Sequence, residues 1–222
     1  MTERRVKVWD LPTRLFHWGL VIAIAGSWWT AENDDLETHL LFGYAALALV
    51  LFRLAWGLFG SETARFASFV RGPGEALAHA RELLRPGPLR RHAGHNALGG
   101  YAVLLLLALV LVQTVTGLFS SGGDIFLVAG PLNDLVDTRT EGWFETVHEV
   151  AFDVILAASA VHIAAILLYW LAKRLNLIGP MVTGSAPLPG DEPAPRLVSP
   201  LVGLAVMAVA AGLVWLLSLR AV

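Results

Sequence analysis

The sequence predicts an all-α integral membrane bundle. Three observations carry that prediction: five apolar stretches of spanning length, tryptophans near their ends, and arginines and lysines gathered in alternate connections. Composition agrees, because 56% of the 222 residues are hydrophobic and only 15% are charged. Mean hydropathy is +0.63, and a water-soluble chain of this length carries far more charge. Cysteine is absent, which excludes disulfides, thiolate metal sites, iron–sulfur clusters and thioether-bound haem together.

The apolar stretches fall near Leu15 to Thr30, His39 to Phe59, Leu98 to Ser120, Val147 to Leu171 and Val198 to Leu219, each close to the roughly 20 residues that cross a bilayer. Trp9, Trp28, Trp29, Trp56, Trp143, Trp170 and Trp215 stand near their ends, where an amphipathic ring meets the headgroups. Arg4, Arg5 and Lys7 give the first stretch the look of a signal peptide, but its bulky end, Ser27 to Thr30, does not suit a cleavage site that needs small residues. It therefore reads as a helix.

Charge sets the orientation. Arg4, Arg5, Lys7 and Arg14 precede the first stretch; Arg65, Arg71, Arg81, Arg85, Arg90 and Arg91 separate the second from the third; Lys173, Arg174 and Arg196 separate the fourth from the fifth. The other two connections carry Glu32, Asp34, Asp35, Glu37, Asp124, Asp134, Asp137 and Glu141 against a single Arg139. The basic side is expected in the cytoplasm, with the N-terminus there and the C-terminus outside after five spans.

Two connections have character of their own. Residues Gly74 to Arg85 place Ala and Leu against Glu, His and Arg at helical spacing, the pattern of a helix lying on the membrane surface, with His79 solvated. Prolines at 187, 189, 193, 195 and 200 mark an extended linker to the last span. That last span has no His, Asp, Glu or Lys and reads as an accessory packing helix. The domain order is 1–180 for the four-helix core, 181–197 for a cytoplasmic linker and 198–222 for the fifth helix.

Histidines carry the chemistry, because an ionisable side chain at membrane depth is costly and is kept for a site. His148 and His162 are fourteen residues apart, nearly four helical turns, so both lie on one face about 21 Å apart along the axis. By depth, His39 pairs with His148 on the outer side and His17 with His162 on the inner side. The inner pair matches less closely, His162 lying about 10 Å further from its boundary than His17. Between paired imidazoles in a bundle the expected occupant is a haem iron with two axial ligands. Gly43, one turn after His39, and Ala158 and Ser159, before His162, leave room beside them. Arg53, fourteen residues after His39, shares its face at the inner level, where it either pairs with haem propionates or snorkels to the headgroups. His95 opens the third span as a propionate contact, a quinone contact or a substitute inner ligand.

These residues resemble the bacterial b-type cytochromes that include the cytochrome subunit of nickel-iron hydrogenases and bacterial cytochrome b561. The resemblance lies in residues 6 to 18 (VKVWDLPTRLFHW), His39 to Tyr44, Phe52 to Gly57 (FRLAWG), Gly94 to Tyr101 (GHNALGGY) and the His148/His162 pair, and it covers residues 6 to 180. It implies a di-haem core with two non-covalent haems b, iron ligands at His17, His39, His148 and His162, and electron transfer between a partner protein and the quinone pool. The implied setting is the bacterial inner membrane, with a periplasmic partner such as a c-type cytochrome or a hydrogenase-like enzyme. Whether the chain is a carrier or a subunit of a quinone-linked oxidoreductase stays open. The Pro-rich linker and fifth helix depart from the family pattern.

Two other classes are weighed beside this one. A haem-free structural anchor for a redox enzyme is the first alternative. A transporter is the second, but Asp153 is the one carboxylate deep within a span, fewer than ion coupling needs. No nucleotide-binding motif is present; Gly99 and Gly100 open a helix and do not follow a strand. Nucleic acid is not an expected partner.

Overall fold

The computed structural model describes residues 3–89, 91–121 and 128–221. Arg90 and Asp124, counted above among the connecting charges, lie outside them. In chain order the elements are β1 (Glu3–Lys7), α1 (Leu11–Glu32), α2 (Leu36–Phe59), α3 (Phe66–Phe69), α4 (Pro73–Leu84), α5 (Ala97–Gly117), α6 (Thr138–Leu171), α7 (Ile178–Thr183), β2 (Ser185–Pro189) and α8 (Pro200–Ser218).

Four helices among the described residues, α2, α5, α6 and α8, are long and apolar enough to cross a membrane. The helix α1 has the length but not the hydropathy, since Thr13, Arg14, His17, Ser27, Thr30 and Glu32 interrupt its apolar run. The helix α6 begins nine residues before the expected Val147. Asp137 makes that start possible, its Oδ1 accepting the Thr140 N–H at 2.8 Å and so satisfying one of the free donors of a helix N-terminus. Arg139, Glu141 and Glu145 hid the first turns from a hydropathy reading.

The chain divides into two compact units, one gathering residues 1–15, 54–105 and 158–204, the other 16–53, 106–157 and 205–222. In the first, β1 and β2 pair antiparallel, with Val6 opposite Ala186 and Arg5 opposite Pro187. Prolines at alternate positions, 187 and 189, are compatible with a two-stranded ladder because their missing donors lie on one side. Val6, Val8, Trp9 and Leu188 form a small core beneath it. Gly184, at φ +84°, ends α7 in the left-handed region, and its carbonyl accepts the N–H groups of Val8 and Trp9 at 2.8 and 3.1 Å. The linker is thus extended, as its prolines dictate, and pinned to the N-terminal strand.

Asp10 organises the entry to α1. Buried to 4% exposure, it accepts the Thr13 N–H at 2.6 Å and the Trp56 indole N–H at 3.0 Å. One carboxylate therefore caps one helix and fixes the far end of another. The surface helix α4 is held by His79, whose Nε2 lies 2.8 Å from the Tyr169 hydroxyl, which also accepts an Asn96 N–H at 2.9 Å. The expectation of a solvated His79 is corrected: its side chain is 15% exposed, stacked 6.3 Å from the Tyr169 ring.

In the second unit, α1 and α2 meet in a tight turn. Asp34 adopts a left-handed φ of 58°, which Asp tolerates better than most residues, and Asp35 caps α2 through the Thr38 N–H at 3.2 Å. Gly26 admits the Phe42 ring: a Cβ there would lie 2.5 Å from it. Leu47, Ala48, Leu118 and Val214 form the core that includes α8, and Arg220 reaches Asp134 at 3.7 Å.

Candidate functional site

Within the second unit, His39 of α2 and His148 of α6 face one another with ring centres 6.2 Å apart and planes at 74°. Each is held from behind by a backbone carbonyl of another helix. The Nδ1 of His39 lies 2.9 Å from the Ser27 oxygen of α1, and that of His148 lies 2.9 Å from the Gln113 oxygen of α5. A carbonyl oxygen only accepts, so both Nδ1 atoms carry the proton and both Nε2 atoms keep their lone pair. The lone pair of His148 takes an N–H from the Gln113 side chain at 2.9 Å.

These rings line a cavity of about 340 Å³ walled by Ile24, Val110, Leu118, Phe152 and Ile155, with Tyr44, Gln113 and Glu149 as polar members. The Tyr44 hydroxyl and the Gln113 Oε1 are buried there with no hydrogen-bond partner among the described residues. Gly43 also lines the cavity, and a Cβ added to it meets nothing within 4 Å. Gly117 is the opposite case: a Cβ there would stand 2.9 Å from Cε1 of His148, so its absence lets the ring lie against α5.

A haem fits this arrangement. Two imidazole–metal bonds of about 2 Å each, with roughly 1 Å from each nitrogen to its ring centre, span about 6 Å when both Nε2 atoms face the metal, so the ring separation leaves room for an iron once the His148 Nε2 is released from Gln113. No group of three or more His, Cys, Asp or Glu side chains able to hold a metal comes together among the described residues. Two imidazoles are a poor cage for a bare ion and suffice for an iron whose equatorial ligands come from a macrocycle. The amide of Gln113 must turn aside for His148 to ligate, and Oε1 has no bond to lose when it does.

Arg53 is buried to 2%, its guanidinium 6.0 Å from the Phe16 ring centre, so it does not reach out of the protein as a snorkelling side chain does. His17, half-buried on α1, meets the edge of Trp18 at 4.9 Å. His162 is half-buried on α6 and belongs to the first unit, whereas His17 belongs to the second. His95 lies between two aromatic rings, 4.7 Å from both Trp9 and Phe69. Sequence reasoning missed Gln113 and Tyr44. Gln113 had a signal, being the one amide side chain in the apolar α5; the carbonyls of Ser27 and Gln113 had none.

A family model described as prokaryotic cytochrome b561 matches residues 8–184. No curated protein and no solved structure matches the chain.

Proposed function

The chain belongs to the prokaryotic cytochrome b561 family, and from that membership we propose that it is a di-haem cytochrome b carrying electrons across the bilayer between a redox partner and the quinone pool. It is a multi-pass membrane protein of a haem b family. The observation that carries the proposal is the facing pair His39 and His148 on a shared cavity, each with its proton fixed on Nδ1, the Nε2 of His148 becoming free to ligate once the Gln113 amide turns aside.

Bound haem supplies a reversible one-electron couple; the protein supplies ligands, orientation and dielectric. His39 and His148 would hold one haem, with the apolar cavity wall excluding water and the Tyr44 hydroxyl and Gln113 amide offering polar contacts. Ligation of a second haem by His17 and His162 rests on the family motif. Arg53 would balance propionate charge, and His95 and Asn96 would donate to a quinone headgroup. The core is taken as residues 1–180, with 181–197 and 198–222 as additions; the family match ending at residue 184 supports that division.

The cytoplasm is assigned to the arginine-rich side and the periplasm to the acidic connections. That assignment requires α1 to span as a fifth helix. The acidic outer side suits a positively rimmed redox partner.

The test is the absorption spectrum and haem content of protein purified from haem-replete cells. Two haems b per chain, fully extractable into acid acetone because no cysteine holds them, are expected. Folded protein without haem would replace this reading with that of a structural anchor.

A further inference from the structure

A second cavity, of about 530 Å³, lies in the first unit; His95, assigned above to the quinone headgroup, borders it, and none of the proposed haem ligands does. One wall comes from the turn after α2, with Glu62, Arg65, Ser68 and Arg71; the other from the linker, residues 192–196. The linker is fastened across the turn by three hydrogen bonds: Glu62 N–H to Arg196 O at 2.9 Å, Arg196 N–H to the Glu62 carboxylate at 2.9 Å, and Val198 N–H to the Ser61 hydroxyl at 2.9 Å. The linker wall lies beyond residue 184, outside the family match.

Three arginines line the cleft against two carboxylates. The Glu62 carboxylate is engaged by the Arg196 backbone N–H, and Arg71 donates to the Ser68 carbonyl at 3.0 Å. The guanidinium groups of Arg65 and Arg196 have no hydrogen bond or ion pair among the described residues. The cleft keeps one positive charge in excess, and two forked guanidinium groups with uncommitted donors beside it are suited to a phosphate oxyanion, which accepts paired N–H bonds.

Position argues for the source of that phosphate. The turn begins two residues after α2 ends and the linker runs into α8 at Pro200. Both helices are apolar enough to span, so the cleft sits at headgroup level. Leu58, Phe59 and Leu201 are 70%, 60% and 75% exposed close by in sequence, an apolar surface for acyl chains. Basic pockets beside spanning helices are characteristic receptors of anionic headgroups.

We infer that the cleft between the α2 turn and the proline-rich linker binds the phosphate group of an anionic membrane lipid, with Arg65 and Arg196 as its ligands. The inference goes beyond the haem reading and rests only on the membrane placement of α2 and α8.

The test measures binding of phosphatidylglycerol, phosphatidylcholine and inorganic phosphate to the purified full chain in detergent by native mass spectrometry, for the parent protein, Arg65→Gln/Arg196→Gln, Arg196→Gln alone and the control Arg81→Gln/Arg85→Gln. Phosphatidylglycerol should bind the parent in preference to phosphatidylcholine, about tenfold more weakly to the cleft double variant, as loss of a charge-assisted bond implies, and undiminished to the control. Arg196 is exposed, so its single variant keeps the measurement valid if the double variant does not fold. Inorganic phosphate binding as tightly as the lipid, with the same arginine dependence, would keep the phosphate site and reassign its source to a soluble anion. Equal lipid binding by parent and cleft variants, or equal weakening by the α4 control, would overturn the inference.

Discussion

His39 and His148 are oriented by the same local device on two different helices. The Ser27 carbonyl that accepts the His39 proton also accepts the Thr30 hydroxyl at 3.1 Å. The Gln113 carbonyl that accepts the His148 proton also accepts the Thr116 hydroxyl at 3.0 Å. In each case the threonine three residues further along divides its one hydroxyl proton between that carbonyl and the preceding one, Gly26 at 2.8 Å and Val112 at 2.9 Å, as Ser and Thr do when they bond back onto a helix. The shared oxygen is a weaker acceptor for the imidazole N–H than an unshared one.

That sharing has a redox consequence if the pair ligates haem. A stronger N–H···O bond raises imidazole basicity and favours the oxidised iron. Thr30→Val and Thr116→Val should each lower the midpoint potential of the outer haem, by on the order of 30 to 60 mV, up to a tenfold change in a one-electron equilibrium. Spectroelectrochemical titration at unchanged haem content checks it. A raised potential would show that the hydroxyls act otherwise.

The proposed ligand pairs predict that haem occupancy separates by residue. His39→Ala should halve haem content by removing the outer haem, and His17→Ala should remove the inner one. Gly43→Leu is the sharper variant, because nothing lies within 4 Å of a Cβ at that position and the substitution meets no protein atom there at its root. Loss of one haem from a stably folded Gly43→Leu protein places the macrocycle beside that glycine. Full haem content would put it elsewhere.

Much of this arrangement was legible in the sequence. Apolar runs located α2, α5, α6 and α8, because burial in lipid leaves a continuous hydropathy signal. Depth counting placed His39 with His148, and the structure brings those two rings together. What stayed hidden has physical causes. The carbonyls of Ser27 and Gln113 belong to the backbone and have no letter. The strand Glu3–Lys7 is too short and charged to read as β, and its proline-bearing partner reads as a linker. His79 looked solvated because the partner that buries it, Tyr169, is 90 residues away.

Asp10 should be the most sensitive polar residue of the first unit. Asp10→Ala removes the cap of α1 and leaves the buried Trp56 indole N–H without its acceptor, costs of about 1 and 1–3 kcal/mol. Thermal unfolding in detergent should show a clear loss for Asp10→Ala and a smaller one for Asp10→Asn, whose oxygen can still accept one of the two bonds. Equal losses would mean that the charge, and not the bonding, matters.

The contact of α4 with α6 should depend on pH. Burial pushes the His79 pKa below its ordinary value, nearby Glu82 opposes that and nearby His92 adds to it. A histidine whose folded pKa is depressed contributes stability that is complete above its unfolded pKa, near 6.5, and is lost as pH falls through the folded value. Neutral Nε2 accepts the Tyr169 hydroxyl proton while that oxygen accepts from Asn96; a protonated ring would leave Tyr169 two donors and none to give to. The bond is worth about 1 kcal/mol. Once the intrinsic, base-catalysed pH dependence of amide exchange is divided out, the protection of residues 73–84 should therefore fall as pH drops below about 6.5, and His79→Phe should keep one protection factor across that range. A pH response that survives His79→Phe would assign the switch to another group.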